Sequence, residues 1–110
     1  MKVTMNTPEY IDGVMVQRFN IIDNTGIIWR GIVKTKNIMT ISPRRLWEII
    51  EDAIVDARNG INAIRVYRDG ETRIRVKLSN KNDFLNASTI SITIHYNGEK
   101  IYSLHLEPTI

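Results

Sequence analysis

Arg65, Tyr67, Arg73, Arg75 and Lys77 occupy alternating positions in one stretch, INAIRVYRDGETRIRVKLSN, residues 61–80. Alternate residues of a strand project to one face. The chemistry on offer there is recognition rather than bond-making. Guanidinium forks hold phosphate bidentately, and an aromatic on a sheet can stack an unpaired base. The stretch carries five basic and two acidic residues, a local +3 equal to the net charge of the whole chain. Residues 1–40 contribute +2, 41–60 contribute −1 and 81–110 contribute −1. Localised basicity suits phosphates or an acidic protein, and a plain solvated face is the alternative.

A second cationic feature lies in TISPRRLWEII, residues 40–50. Arg44 and Arg45 fall in the first turn of an expected helix, where peptide dipoles favour Asp and Glu. Asp56, in the last turn, is reversed in the same sense. Two arginines beside free backbone N–H groups form a candidate anion site. The competing reading pairs them with Glu48 and a strand carboxylate such as Glu9 or Asp12.

Catalytic chemistry has little support. His95 and His105 are the only histidines; their spacing suggests neither a nucleophilic triad nor a zinc pattern. The carboxylates Glu48, Glu51, Asp52 and Asp56 fit the solvated face of a helix. Glycines stand singly, so no phosphate loop is present. Cysteine is absent, which excludes disulfides and thiolate metal sites. No cofactor is expected.

The elements that must position these residues follow from hydrophobic period. Ser42 suits an N-cap, Pro43 the first helical position and Asn59-Gly60 the exit, so a helix is expected over 43–59. Leu46, Trp47, Ile49, Ile50, Ala53, Ile54 and Ala57 share one arc of it. The rest reads as hairpins. VMVQRFNII and GIIWRGIVK flank DNTG; NAIRVY and TRIRVKL flank RDGE; STISITIHY and KIYSLHL flank NGE. The fold class is α+β, an antiparallel curved sheet of order β-β-α-β-β-β-β with the helix on one face.

Apolar Ile64, Val66, Ile74, Val76 and Leu78 all carry even numbers. If they share the core face, three-residue loops Arg68-Asp69-Gly70 and Tyr96-Asn97-Gly98 are required. The other face then gathers Arg65, Tyr67, Arg73, Arg75 and Lys77, with Thr89, Ser91, Thr93, His95, Ile101, Ser103 and His105 alongside. That register sets Arg65 opposite Arg73, a destabilising like-charge pair that needs compensation. The first hairpin reads as apolar on both faces. A second subunit would cover it in a homodimer; residues 1–12 or 80–88 are the alternative cover.

The 110 residues read as a single domain, 1–110. No apolar run is long enough to cross a membrane, and MKVTMNTPEYIDG lacks the apolar centre of a signal peptide. Cytoplasmic location is therefore expected, and the Asn86-Ala87-Ser88 sequon reads as chance. The 19 isoleucines and 10 asparagines suggest an AT-rich, viral or archaeal origin. The reading is a small non-enzymatic module that binds nucleic acid, DNA or RNA, through Arg44, Arg45, Arg65, Tyr67, Arg73, Arg75 and Lys77. The alternative is a protein-interaction factor, such as a viral accessory or inhibitor protein.

Overall fold

Ser42 opens the helix as its residue type predicts. In a computed structural model, which describes residues 1–36, 41–80 and 86–109, α1 spans Pro43–Arg58. The Ser42 hydroxyl accepts the Arg45 backbone N–H at 3.1 Å. Asn59 and left-handed Gly60 close the other end, and the fully buried Ser88 finishes the cap. Its N–H donates to the Ala57 carbonyl at 2.8 Å and its hydroxyl to the Ile61 carbonyl at 2.6 Å. Leu46, Ile49, Ile50, Ala53, Ile54 and Ala57 are buried. Each larger one adds about 1.5–3 kcal/mol of apolar burial. This face lies against two strands, β6 (Thr72–Ser79) and β7 (Thr89–Tyr96).

The remaining strands are β1 (Lys2–Met5), β2 (Glu9–Ile11), β3 (Val14–Ile22), β4 (Ile28–Thr35), β5 (Ala63–Asp69) and β8 (Glu99–Thr109). They form one antiparallel sheet of order β1-β3-β4-β8-β7-β6-β5, with β2 also paired to β3. The expected element order holds from β3 onward. Two further strands precede it, which corrects the expected count. Lys2-Val3-Thr4-Met5 does alternate, but strands of four and three residues exposed throughout give only a short, weak signal. The turn signal is clearer: Asp12 and Gly13 both take positive φ, as a two-residue type I′ hairpin turn requires.

The two C-terminal hairpins also differ from expectation. Asp69 pairs with Thr72, so the first loop is the two-residue turn Gly70-Glu71. Gly70 has φ +58° while Glu71 does not share the positive region, matching a type II′ turn with glycine leading. Every pair in β5–β6 therefore joins an odd residue to an even one: Arg65 with Val76, Tyr67 with Ile74, Val66 with Arg75, Ile64 with Lys77. The expected even-numbered core face fails for β5 and holds for β6. Ile64 and Val66 are 56% and 50% exposed, whereas Ile74, Val76 and Leu78 are buried.

The last hairpin also turns on two residues, Asn97-Gly98, rather than three. Here a bulge at Ile101 restores the phase. Tyr96 and His95 pair with Glu99 and Lys100, but Ile94 pairs with Tyr102. Ile90, Ile92, Ile94, Tyr102, Leu104 and Leu106 thus share the core as expected, and Ile101 is buried rather than on the open face.

The first hairpin is sided, not doubly buried. Phe19, Ile21, Trp29 and Val33 enter the core; Val14, Val16, Ile28 and Ile32 are half-buried and Ile22 exposed on the other face. Strands β1 and β2 extend the sheet beside β3 instead of layering over it. Of the other proposed cover, residues 81–85 lie outside the described residues. Gly31 is needed where Phe19 folds over β4: a Cβ there would come within 2.4 Å of the Phe19 ring. Asp23 closes the loop. Its Oδ1 accepts from the Thr25 N–H and hydroxyl at 2.8 and 2.6 Å and from the Ile27 N–H at 3.1 Å; its Oδ2 accepts from Trp29 Nε1 at 3.0 Å.

Candidate nucleic-acid interface

The residues expected to form one cationic face divide between two. On the helix side, Arg44 and Arg45 both approach Glu48, at 3.7 and 3.6 Å. Glu48 alone supplies the carboxylate for both; neither Glu9 nor Asp12 is a partner. Arg45 also lies over the Tyr67 ring, 5.6 Å from its centroid, a cation–π contact. Arg65 pairs with Asp56 of α1, and this contact raises the guanidinium pKa above its ordinary value. Asp56 is thereby explained: its position near the helix C-terminus costs dipole energy, and Arg65 supplies the compensating charge. Arg65 no longer faces Arg73.

Arg73, Arg75 and Lys77 project to the opposite, helix-free face, as their alternation predicts. Cross-strand pairing extends that face over the whole sheet. The row through Lys77 runs Ile64, Lys77, Ser91, His105, Ile32, Arg18. The next runs Val66, Arg75, Thr93, Ser103, Lys34, Val16, Glu9. Nearer the C-terminal turns stand Arg68, Arg73, His95 and Lys100. Arg30 and Lys2 join from the far side, so the carboxylates Glu9 and Glu107 face a large excess of cations. Among the described residues, no ion pair engages Arg18, Arg30, Lys34, Arg68, Arg73, Arg75, Lys77 or Lys100.

Sequence reading missed Arg18, Arg30, Lys34, Arg68 and Lys100. The signal for Arg18 and Arg30 was available in the alternation of VMVQRFNII and IIWRGIVK. Arg68 was hidden by the assumed loop, and Lys100 depends on the bulge. Tyr67, expected as a stacking platform, lies on the helix side, and Phe19 and Trp29 are buried there. Among the described residues, the open face is cationic and hydroxyl-bearing, with half-exposed isoleucines and valines instead of aromatics.

Ser91, His105 and Glu107 form a hydrogen-bonded chain on this face. Ser91 Oγ lies 3.0 Å from His105 Nδ1, and His105 Nε2 lies 3.1 Å from Glu107 Oε1. The order resembles a nucleophile, base and orienting acid. Its backbone N–H groups are not free to serve as oxyanion donors: β7 is flanked by β6 and β8, so ladder bonds engage those near Ser91. Among the described residues, no group of three His, Asp or Glu side chains could hold a metal ion. No described helix is long and apolar enough to cross a membrane.

Compared with known proteins, the chain matches no family model, no curated protein and no solved structure.

Proposed function

We propose that the chain is a non-enzymatic module that binds nucleic acid by its phosphates on the open sheet face. One observation carries this reading. The face gathers Arg18, Arg30, Lys34, Arg68, Arg73, Arg75, Lys77 and Lys100 without carboxylate partners among the described residues, while Arg44, Arg45 and Arg65 on the helix side are paired. Holding like charges side by side costs folding energy, and a polyanion offsets that cost. Among the described residues no aromatic stands on this face, which favours backbone contacts over base stacking, hence a duplex over an unpaired strand. Arg44, Arg45, Arg65 and Tyr67 support the fold in this reading and leave the binding set.

The test is binding of duplex and single-stranded oligonucleotides at two salt concentrations. Affinity for duplex falls steeply with salt, because each neutralised phosphate releases counterions with a slope of about 0.9. Affinity undetectable at about 50 mM salt, or indifferent to salt, overturns the proposal.

A protein partner is the second reading, favoured by the exposed Ile64 and Val66 on edge strand β5. An edge strand accepts an added strand through its unpaired backbone groups, and the neighbouring cations would select an acidic segment or a second copy of the chain. Recovery of one stoichiometric protein that resists nuclease, or a dimer in sedimentation, supports it.

A further inference from the structure

We propose that the cleft between the two C-terminal hairpin tips is a phosphomonoester site. Its geometry comes from three adjacent strands. Arg68 faces Arg73 across β5–β6, and Arg73 faces His95 across β6–β7. Directly opposed side chains start about 4.5–5.5 Å apart, so two guanidinium forks and an imidazole open into one space of about 520 Å³. No ion pair among the described residues neutralises either arginine. Among the described residues, Glu71 is the one carboxylate in the lining, outnumbered by the two arginines.

The tips are held together before any ligand arrives: the Asn97 N–H donates to the Glu71 carbonyl at 3.3 Å. The rim is also open. A Cβ built on Gly70 or Gly98 would meet nothing within 4 Å, so a ligand can approach the turn backbone closely. His95 Nδ1 is buried with no hydrogen-bond partner. A proton there would have no acceptor, so the neutral ring carries its hydrogen on Nε2, which can donate to a ligand.

A phosphomonoester fits this donor set better than a phosphodiester does. It carries about −1.5 to −2 charge at neutral pH and three terminal oxygens. Three donor groups, two of them forks, match those oxygens. The chemistry is shared by a free nucleotide and by the 5′-phosphate end of a nucleic acid. Only the second source rests on the nucleic-acid reading above.

The experiment has two arms. Adenosine 5′-monophosphate and adenosine are titrated into the protein by calorimetry. Blunt duplexes with 5′-phosphate and 5′-hydroxyl ends are then compared for affinity at one ionic strength. Binding of the monophosphate but not the nucleoside supports the site. So does a preference of about tenfold or more for the phosphorylated end, the worth of one charge-assisted hydrogen bond. Binding in both arms makes either source competent. Binding in the first arm alone assigns the site to free nucleotides. Arg68→Gln and His95→Gln each reduce the preference, with the circular dichroism of the fold unchanged. Arg18→Ala lowers duplex affinity at both ends alike and leaves the preference intact. Duplex binding without end preference, together with no nucleotide binding, overturns the site and leaves the proposed function standing. Nucleotide binding with no duplex binding does the reverse.

Discussion

The two faces of the one sheet treat positive charge in opposite ways. On the helix side, Arg44 and Arg45 share Glu48, Arg45 also covers Tyr67, and Arg65 meets Asp56. On the open side, Arg68, Arg73 and His95 stand in consecutive register, and Arg75 and Lys77 follow down the same strand. On the helix side the charge serves the fold; on the open side the proposed function assigns it to a polyanion. Paired surface charges are worth little to stability, about 0–1 kcal/mol each. Clustered cations without a carboxylate partner among the described residues cost stability, a cost that the proposed polyanion would offset.

Substitutions on the two faces should separate stability from binding, and the largest effect belongs to the closed face. Trp29→Ala removes a fully buried ring and leaves Asp23 Oδ2 without its donor. It should cost about 3–5 kcal/mol in urea unfolding while leaving the salt slope of oligonucleotide binding unchanged. If the slope changed too, the faces would not be separable.

Asp23→Ala ranks next. It strips the acceptor from the buried Trp29 Nε1 and from the loop N–H groups, so a loss of about 1–3 kcal/mol is expected. Burial alone would raise the Asp23 pKa; its hydrogen bonds to Thr25, Trp29 and Ile27 outweigh this and hold it below 3.8. A carboxylate with a depressed folded-state pKa stabilises fully above its unfolded value, and that contribution is lost as pH falls through the folded value. Acid titration of stability should therefore fall more steeply below pH 3.8 in the parent chain than in Asp23→Ala.

The open face gives the converse result. Arg73→Ala with Arg75→Ala should reduce the salt slope by up to about two and change stability by no more than about 0.5 kcal/mol. On the helix side only stability should respond, and modestly. Arg65→Ala should lower stability by about 1 kcal/mol at most, and Arg44→Ala by about 0.3–0.5 kcal/mol. Neither should alter the salt slope. An Arg44→Ala variant that did alter it would return the helix start to the binding surface.

The two C-terminal hairpins explain why the closed and open faces were only partly legible. VYRDGETRIRV and IHYNGEKIYSL resemble each other, and both fold around two-residue turns. In the second, the bulge at Ile101 returns β8 to the expected phase. In the first, nothing does, and β5 presents Ile64, Val66 and Arg68 outward while Arg65 and Tyr67 meet α1. Because the strand period is two, one residue of slip exchanges the entire side-chain set between faces.

What the sequence determined by itself is local: the helix with its Ser42 cap, the β3, β6 and β7 strands, and the shared side of Arg73, Arg75 and Lys77. Caps and alternation act within a few residues, so they can be read along one segment. The pairing of Arg44 and Arg45 with Glu48 is local too, open to the sequence as an alternative, whereas the phase of β5, the added edge strands β1 and β2, and the fate of Arg65 and Tyr67 were decided only in three dimensions. An edge strand buries little, so apolar pattern constrains it weakly. Its facing was decided by a turn type, the Asp56 carboxylate and a guanidinium over the Tyr67 ring, contacts that exist only once the helix lies against the sheet.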